Sequence, residues 1–589
     1  MPCIAFHDGA VRALLFMGPK RDLGHCGRVG YCHCGPKADP AHSDRPIGIV
    51  TVRGNIMELN RRDFLGASTV VGTGVVGCAA LAGSAAFPAL AAEATWDKEA
   101  DVVVVGSGTA AFAAVSAMSL GAESVIVLEK SGVWGGTSAM SGCGMWVPGA
   151  YCQAEAGVED DLDEAYAYML KTAAGRANEE VARAYIDNAP KFLEWTRDTY
   201  GWDWYCGPNG GDYFESYEGA LDGGRTVFVK FGEGNVWSHI EQIAADQGVE
   251  VLLETPAVSL VRDEAGGVAG VLAHDKDGAE LRIHAKKGVI LGTGGFDHNQ
   301  AMIKAFMPAR PYVTNAAAGN TGDGHLMGMA LGADVSHMDT NWGLPCLSDA
   351  AAFDPDADVV SSFAGNDWFH YRTKPNAIVV NKYGKRFGNE SSAYAIFNRA
   401  FEEWDTGLQE YRNLPAYLIV DSEFMQYFSL SWDGSVPEYV KQADTLEGLA
   451  EALGIDADGL LAEVEQFNAN AELGLDPVWH RGEGGYDRAT SADTVSGRNL
   501  PSMSLGPIAT PPFYGALYVP GTCGTNGGLR TDENAQVVNV WGEAIPRLYA
   551  VGNCSAGVSG GAYCGGGMTV GAGSVMAWVA VRHILGIQE

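Results

Sequence analysis

The run Asp101-Val102-Val103-Val104-Val105 passes directly into Gly106-Ser107-Gly108-Thr109-Ala110-Ala111. Four valines without polar alternation predict a strand buried on both faces of a parallel sheet, and the glycines predict a tight turn into a helix ending at Leu120. A second strand, Ser124 to Leu128, closes on an acid, Glu129, 23 positions after Gly106. Alone, the glycine spacing would fit a purely structural βα turn. Strand, turn, helix, strand and terminal acid in that order predict a dinucleotide fold, with pyrophosphate at the helix start and ribose on the acid.

A second glycine-rich turn, Val133-Trp134-Gly135-Gly136-Thr137-Ser138-Ala139-Met140-Ser141-Gly142, follows the acid. A nicotinamide dinucleotide has no use for it, whereas a flavin needs the chain to approach ribitol and ring closely. FAD is therefore the expected cofactor. Leu291 to Gly295, Thr321 to Gly324 and Tyr549 to Asn553 supply further close-approach glycines, so the FAD domain is expected to be discontinuous. Candidate contacts at the first turn are Gly106, Gly108, Thr109, Ala110 and Ala111, joined by Glu129 and Lys130 at the acid. Those at the second turn are Gly135, Gly136, Thr137, Ser138, Ser141 and Gly142. Ala257, Gly294, Asp323, Gly552, Asn553, Thr569 and Val570 complete the set.

Arg61-Arg62 precedes a Gly/Ala/Val-rich stretch ending near Ala89-Leu90-Ala91. Residues 57–92 read as a twin-arginine export signal: the positive charge stays inside, the mildly apolar segment enters the bilayer, and the small residues fit a peptidase. An uncleaved anchor is the alternative. Export to the periplasm or the outer face of the cell membrane is expected. That route carries folded proteins with cofactors seated, which agrees with a flavin. Residues 1–56 show no periodicity and are expected to be an unstructured extension upstream of the native start.

A net charge of −33, with no basic run beyond residue 62, excludes nucleic acid as a partner. Of twelve cysteines, seven lie after the signal: Cys143, Cys152, Cys206, Cys346, Cys523, Cys554 and Cys564. Their scatter matches neither a zinc nor a haem pattern, so no metal site is expected and the thiols are read as mostly free and buried.

Over residues 100 to 587 the chain resembles the fumarate reductase and succinate dehydrogenase flavoprotein superfamily, in particular its 3-ketosteroid dehydrogenases. The likeness rests on the GGTSAMSG turn, on Asn381-Lys382-Tyr383-Gly384-Lys385-Arg386-Phe387-Gly388-Asn389-Glu390, and on the tail from Gly524-Thr525-Asn526-Gly527-Gly528-Leu529 to Gly571. It implies an α/β fold: a Rossmann-like, discontinuous FAD-binding domain (99–305 and 506–589) with an inserted α+β capping domain that holds substrate, here 306–505. Relatives with covalent FAD use a histidine in the turn after the acidic strand. Residues 131 to 150 contain none, which implies non-covalent FAD.

Dicarboxylate reducers of the superfamily place arginines where this chain has Tyr394 and Tyr563, and their histidine-bearing segment reads Thr522-Cys523-Gly524-Thr525 here. Without charged donors a buried carboxylate is costly, so fumarate and succinate are poor candidates. The resemblance to steroid enzymes implies Tyr394 as general base, with Tyr563 and the Gly567 amide on the ketone oxygen. Cys564 replaces that family's usual proline. A tyrosine base needs a neighbouring hydroxyl; Tyr213 is the candidate, with Tyr217 near enough in sequence to be confused with it. Arg386 with Glu390 reads as a structural pair, and Asn381 as a turn closure.

The expected reaction is dehydrogenation or reduction of a carbon–carbon bond conjugated to the ketone of a small apolar, steroid-like substrate. The separate electron partner is expected to be a membrane quinone or cytochrome-type protein. Two alternatives compete: an exported reductase of another unsaturated carbonyl or carboxylate, such as fumarate, urocanate or a cinnamate, and a non-catalytic flavoprotein without a base.

Overall fold

The computed structural model describes residues 95–587 apart from 208–210, 232, 351, 362–370, 432–433, 492 and 494–495. It also describes three backbone strands, Ile49–Val52, Asn55–Glu58 and Ala89–Leu90. Two compact units divide the chain, residues 1–84 and 85–589. In the first, Ile49–Val52 and Asn55–Glu58 pair antiparallel, Ile49 facing Glu58. This hairpin departs from the structureless extension expected over 1–56. Its cause is visible in Ile49-Val50-Thr51-Val52, four β-formers followed by Arg53-Gly54. The twin-arginine pair lies outside the described residues, among which no helix is long and apolar enough to cross a membrane.

The second unit is built on a nine-stranded sheet. Lys98–Val105 lies between Glu280–Leu291 and Val125–Leu128, both parallel to it, with Val105 level with Leu291 and Leu128. Ala544–Ala550 joins the far side of Glu280–Leu291, pairing Ala550 with Leu291. Strands from both ends of the sequence thus end at one level, as a discontinuous FAD domain requires. Ala89–Leu90, inside the segment read as signal, pairs with Val261–Arg262 at the sheet edge. Helix Ala111–Ser119 packs against Met568–Ile584, and the small residues of both allow the close approach.

A smaller antiparallel sheet runs in the order Cys346–Leu347, Phe513–Val519, Ala416–Val420, Ala377–Asn381. Helices Leu446–Leu453 and Ala457–Ala471 contribute to the apolar cluster on one of its sides, while Phe387, Phe397, Phe401 and Phe424 belong to the cluster on the other. The insertion differs from the expected 306–505 at both ends. Helix Asp323–Ala330 packs on strand Ala257–Arg262, and Val335–Ser336 pairs with Gly528–Leu529, so this stretch belongs with the large sheet. Phe513–Val519, assigned by sequence to the FAD domain, is a central strand of the inserted sheet. As expected, Arg386 and Glu390 form a buried pair, which Asp476 and Arg481 extend, and Asn381 Oδ1 accepts from the Tyr383 and Lys385 amides to close a turn.

Candidate active site

A cavity of about 640 Å³ opens at the carboxyl ends of the parallel strands. Val105 to Thr109, Leu128 to Ser131, Gly292 to Gly294 and Val551 to Asn553 all line it, which is where open α/β sheets bind ligands. Gly106 sits at φ 101°, and a Cβ there would run into the Gly292 carbonyl. The first and second glycine turns meet at Gly108 and Gly136, while a Cβ at Gly142 would meet nothing within 4 Å. Backbone thus faces the cavity with no side chain between, a surface suited to the long, close contact a flavin dinucleotide demands.

Glu129 is buried, with Oε2 accepting from the Ser107 amide (3.1 Å) and hydroxyl (2.7 Å) and Oε1 from the Ser131 amide (2.9 Å). These bonds fix a carboxylate at the cavity wall. Lys130 reaches Thr321 Oγ1 and Asp323 Oδ2, both at 2.6 Å. Of the expected FAD contacts, Gly106, Gly108, Thr109, Glu129, Lys130, Gly136, Thr137, Ser138, Ser141, Gly142, Ala257, Gly294, Asp323, Gly552, Asn553, Thr569 and Val570 line the cavity. Ala110, Ala111 and Gly135 do not. Both alanines are fully buried, Ala110 packed beside Gly292, because the first helical turn faces the sheet. Gly135, at φ 104°, makes the turn itself and donates its N–H to Ser107 Oγ (2.8 Å).

At the cavity's other end four tyrosines converge. The Tyr394 hydroxyl donates to the Tyr563 hydroxyl at 3.0 Å. The Tyr213 ring lies 5.3 Å from Tyr394, 5.2 Å from Tyr563 and 5.2 Å from Tyr486. Tyr217 instead packs at a tilt against Phe214 under the Lys171 ammonium, and of the two it is Tyr213 that lines the cavity. Tyr394 opens helix Tyr394–Arg399 of the inserted layer, and Gly567, at φ 84°, caps helix Met568–Ile584 and lines the cavity.

Tyr213 is held from both sides in sequence. Its neighbour Asp212 accepts from Trp146 Nε1 (2.7 Å) and pairs with Arg225, which also binds Asp160 (2.7 Å). Glu215 accepts from the Gly485 amide (2.8 Å) and the Tyr486 amide, tying this segment to the short helix Gly485–Ser491. Burial pushes Asp212 up to about 6 against the pull of Arg225.

Desolvation by burial drives the phenols of Tyr394, Tyr213 and Tyr563 above the usual range, against the hydrogen bonds by which Tyr394 lowers Tyr213 and Tyr563, and pushes Tyr486 up to about 12. At neutral pH the cluster is protonated. Sequence reasoning did not single out Tyr486, Phe228, Cys143 and Cys346, all of which line the cavity. No local pattern marks them, since each reaches the cavity by tertiary packing. Of the two cysteines flanking the inferred substrate positions, Cys523 lines the cavity. Cys564 is buried behind it, its carbonyl accepting from the Tyr168 hydroxyl and the Tyr213 amide.

Glycine turns, buried acid and strand-end cavity define a dinucleotide-binding flavoprotein. Residues 101–570 match the FAD binding domain family, and the chain belongs to it. It is 31% identical to a 4-oxocyclohexanecarboxylate 2-dehydrogenase of Sinomonas cyclohexanicum, covering 82% of this chain and 93% of that one. It is also 31% identical to a 3-oxosteroid 1-dehydrogenase of Mycobacterium tuberculosis, covering 83% and 98%. The structure of 3-ketosteroid Δ1-dehydrogenase from Sterolibacterium denitrificans superposes with a TM-score of 0.73 at 29% identity, covering 83% of this chain and all of that one. The protein is an FAD-dependent oxidoreductase acting on carbon–carbon bonds of oxo compounds.

Proposed function

We propose that the substrate is an apolar cyclic ketone of the 3-oxosteroid type, and that hydrogen is added or removed across the bond next to its carbonyl. The observation that carries this reading is the tyrosine cluster, in a wall that holds no arginine or histidine among the described residues. Among the described lining residues Lys130 is the sole cation, and it is bound to Asp323. A neutral carbonyl suits such a wall and a carboxylate does not. By name, both dehydrogenases act on an oxo-substituted six-membered ring, which agrees with a ketone at the tyrosines; the first of these substrates also carries a carboxylate, at the far side of the ring from its ketone.

FAD, when bound, supplies the hydride acceptor or donor. Gly106, Gly108, Glu129, Gly136 to Ser138 and Gly552 hold it. Tyr394 exchanges the proton at the carbon next to the carbonyl, while the Tyr563 hydroxyl and the Gly567 amide take the charge that develops on oxygen. Tyr213 backs both phenols. Tyr394, protonated at neutral pH, is ready to give that proton to an enone and must first lose it to take one from a saturated ketone; the same site runs either way, and the electron partner's potential sets the direction.

The test is anaerobic reoxidation of dithionite-reduced holoenzyme by 3-oxosteroid enones, fumarate, urocanate and cinnamate. Rapid reoxidation by the enones alone supports the reading; rapid reoxidation by a carboxylic acid refutes it. We further propose export by the twin-arginine route through Arg61 and Arg62, with electrons exchanged with a membrane quinone or cytochrome-type protein. Substituting both arginines by lysine should leave the protein inside the cell, and unchanged export would refute the route.

A further inference from the structure

The sulfurs of Cys152 and Cys206 lie 3.2 Å apart, 54 residues apart in sequence and away from the cofactor cavity. Cys152 sits on helix Tyr151–Glu155 and Cys206 ends strand Trp204–Cys206. The two elements are already fixed against each other, because the Trp204 amide donates to the Tyr151 hydroxyl at 3.2 Å. A disulfide bond measures about 2.0 Å, so roughly one ångström between the sulfurs is left to close.

We propose that Cys152 and Cys206 are a crosslinking site, forming an intrachain disulfide when the folded protein meets a small disulfide oxidant. Cys206 is partly exposed and Cys152 is buried, which sets the order. The Cys206 thiolate attacks one sulfur of the oxidant, forming a mixed disulfide and expelling one thiolate. Cys152 then loses its proton and attacks the Cys206 sulfur, forming the protein disulfide and expelling the second. Two protein thiols are oxidised and one disulfide is reduced to two thiols. Burial and the adjacent sulfur push the Cys152 thiol upward, so it reacts as the resolving partner and not as the first nucleophile.

The crosslink reaches the active site through the sheet. Strand Trp204–Cys206 pairs with Thr226–Val229, placing Cys206 opposite Val227, and Thr226 and Phe228 flank that position on the cavity wall. Past Cys206 the chain leads to Asp212 and Tyr213. A bond at this point therefore anchors the start of the segment that presents Tyr213.

The test treats FAD-loaded full-length protein with oxidised glutathione at neutral pH, then measures intact mass and maps peptides without reduction. The expected result is a product lighter by two hydrogen atoms, carrying a Cys152–Cys206 peptide pair, with Cys143, Cys346 and Cys523 still open to alkylation after unfolding. Its melting temperature should rise by about 4 °C, since the bond closes a long loop in the unfolded chain. Cys206→Ser should abolish the mass change, and Cys152→Ser should stop at a glutathione adduct on Cys206. Full alkylation of both cysteines after oxidation, or a crosslink that maps to another pair, overturns the proposal. Wild-type mapping decides alone should either variant fail to fold.

Discussion

Tyr394→Phe removes a single oxygen atom, the one that donates to Tyr563 across 3.0 Å. The phenyl ring keeps its edge contacts with Tyr213 and Tyr563, so the wall should stand and FAD should remain bound. If Tyr394 exchanges the proton, turnover falls by about 10²–10⁴, which is roughly 3–5 kcal/mol of barrier at 1.36 kcal/mol per decade. The environment adds a pH signature. Desolvation, and after it the neighbouring Tyr213 and Tyr563, raises the Tyr394 phenol above its ordinary value near 10. A base must be deprotonated, so dehydrogenation in the wild type should rise about tenfold per pH unit through the neutral range, without a plateau below about pH 10. An acid must be protonated, so reduction should stay level over the same range. Single-turnover stopped-flow at the flavin absorbance, run in both directions from pH 6 to 10, separates the two arms. A Tyr394→Phe variant that keeps more than a tenth of wild-type turnover, or a level pH profile for dehydrogenation, would refute the assignment.

Other perturbations report on different parts of the molecule. Gly106→Ala puts a methyl group into the Gly292 carbonyl and should abolish FAD binding, read by fluorescence titration of the apoprotein. Arg225→Met leaves Asp160 and Asp212 buried without their cation and should cost about 3–5 kcal/mol in urea unfolding; a loss below 1 kcal/mol would mean that the carboxyls simply take up protons. Tyr563→Phe should slow turnover by about 10²-fold with the pH slope preserved, because the oxygen it serves belongs to the ketone and not to the proton path. Glu215→Gln keeps one acceptor for the Gly485 and Tyr486 amides, so it should raise KM more than it lowers kcat.

The cofactor half of the molecule was legible because its signals are local. A buried strand, a glycine turn and a helix are written within a dozen residues, and Val105, Gly106 and Glu129 lie where that grammar puts them. Ala110 and Ala111 were misjudged because a motif names positions without saying which side of the helix they face, and Gly135 because its amide is spent on Ser107 within the turn. The limits of the insertion were missed for a related reason. Phe513–Val519 is a continuous apolar strand like those of the large sheet, and which sheet it joins is settled by Ala416–Val420, a hundred residues earlier. Tyr394, Tyr563 and Tyr213 were found by resemblance, yet Tyr486 was not, since its place depends on Glu215 gripping a short helix far away in sequence. The hairpin at residues 49–58 was overlooked although its β-formers stand in plain order.

The cavity wall is assembled from residues near 105, 128, 292, 394 and 551, and last from Thr569 and Val570. A growing chain therefore holds no complete cofactor site until the first turn of helix Met568–Ile584 has left the ribosome. Flavin loading is in this sense a checkpoint on full-length synthesis: a chain truncated anywhere before the last helix should emerge colourless, however well its first strand and glycine turn are formed.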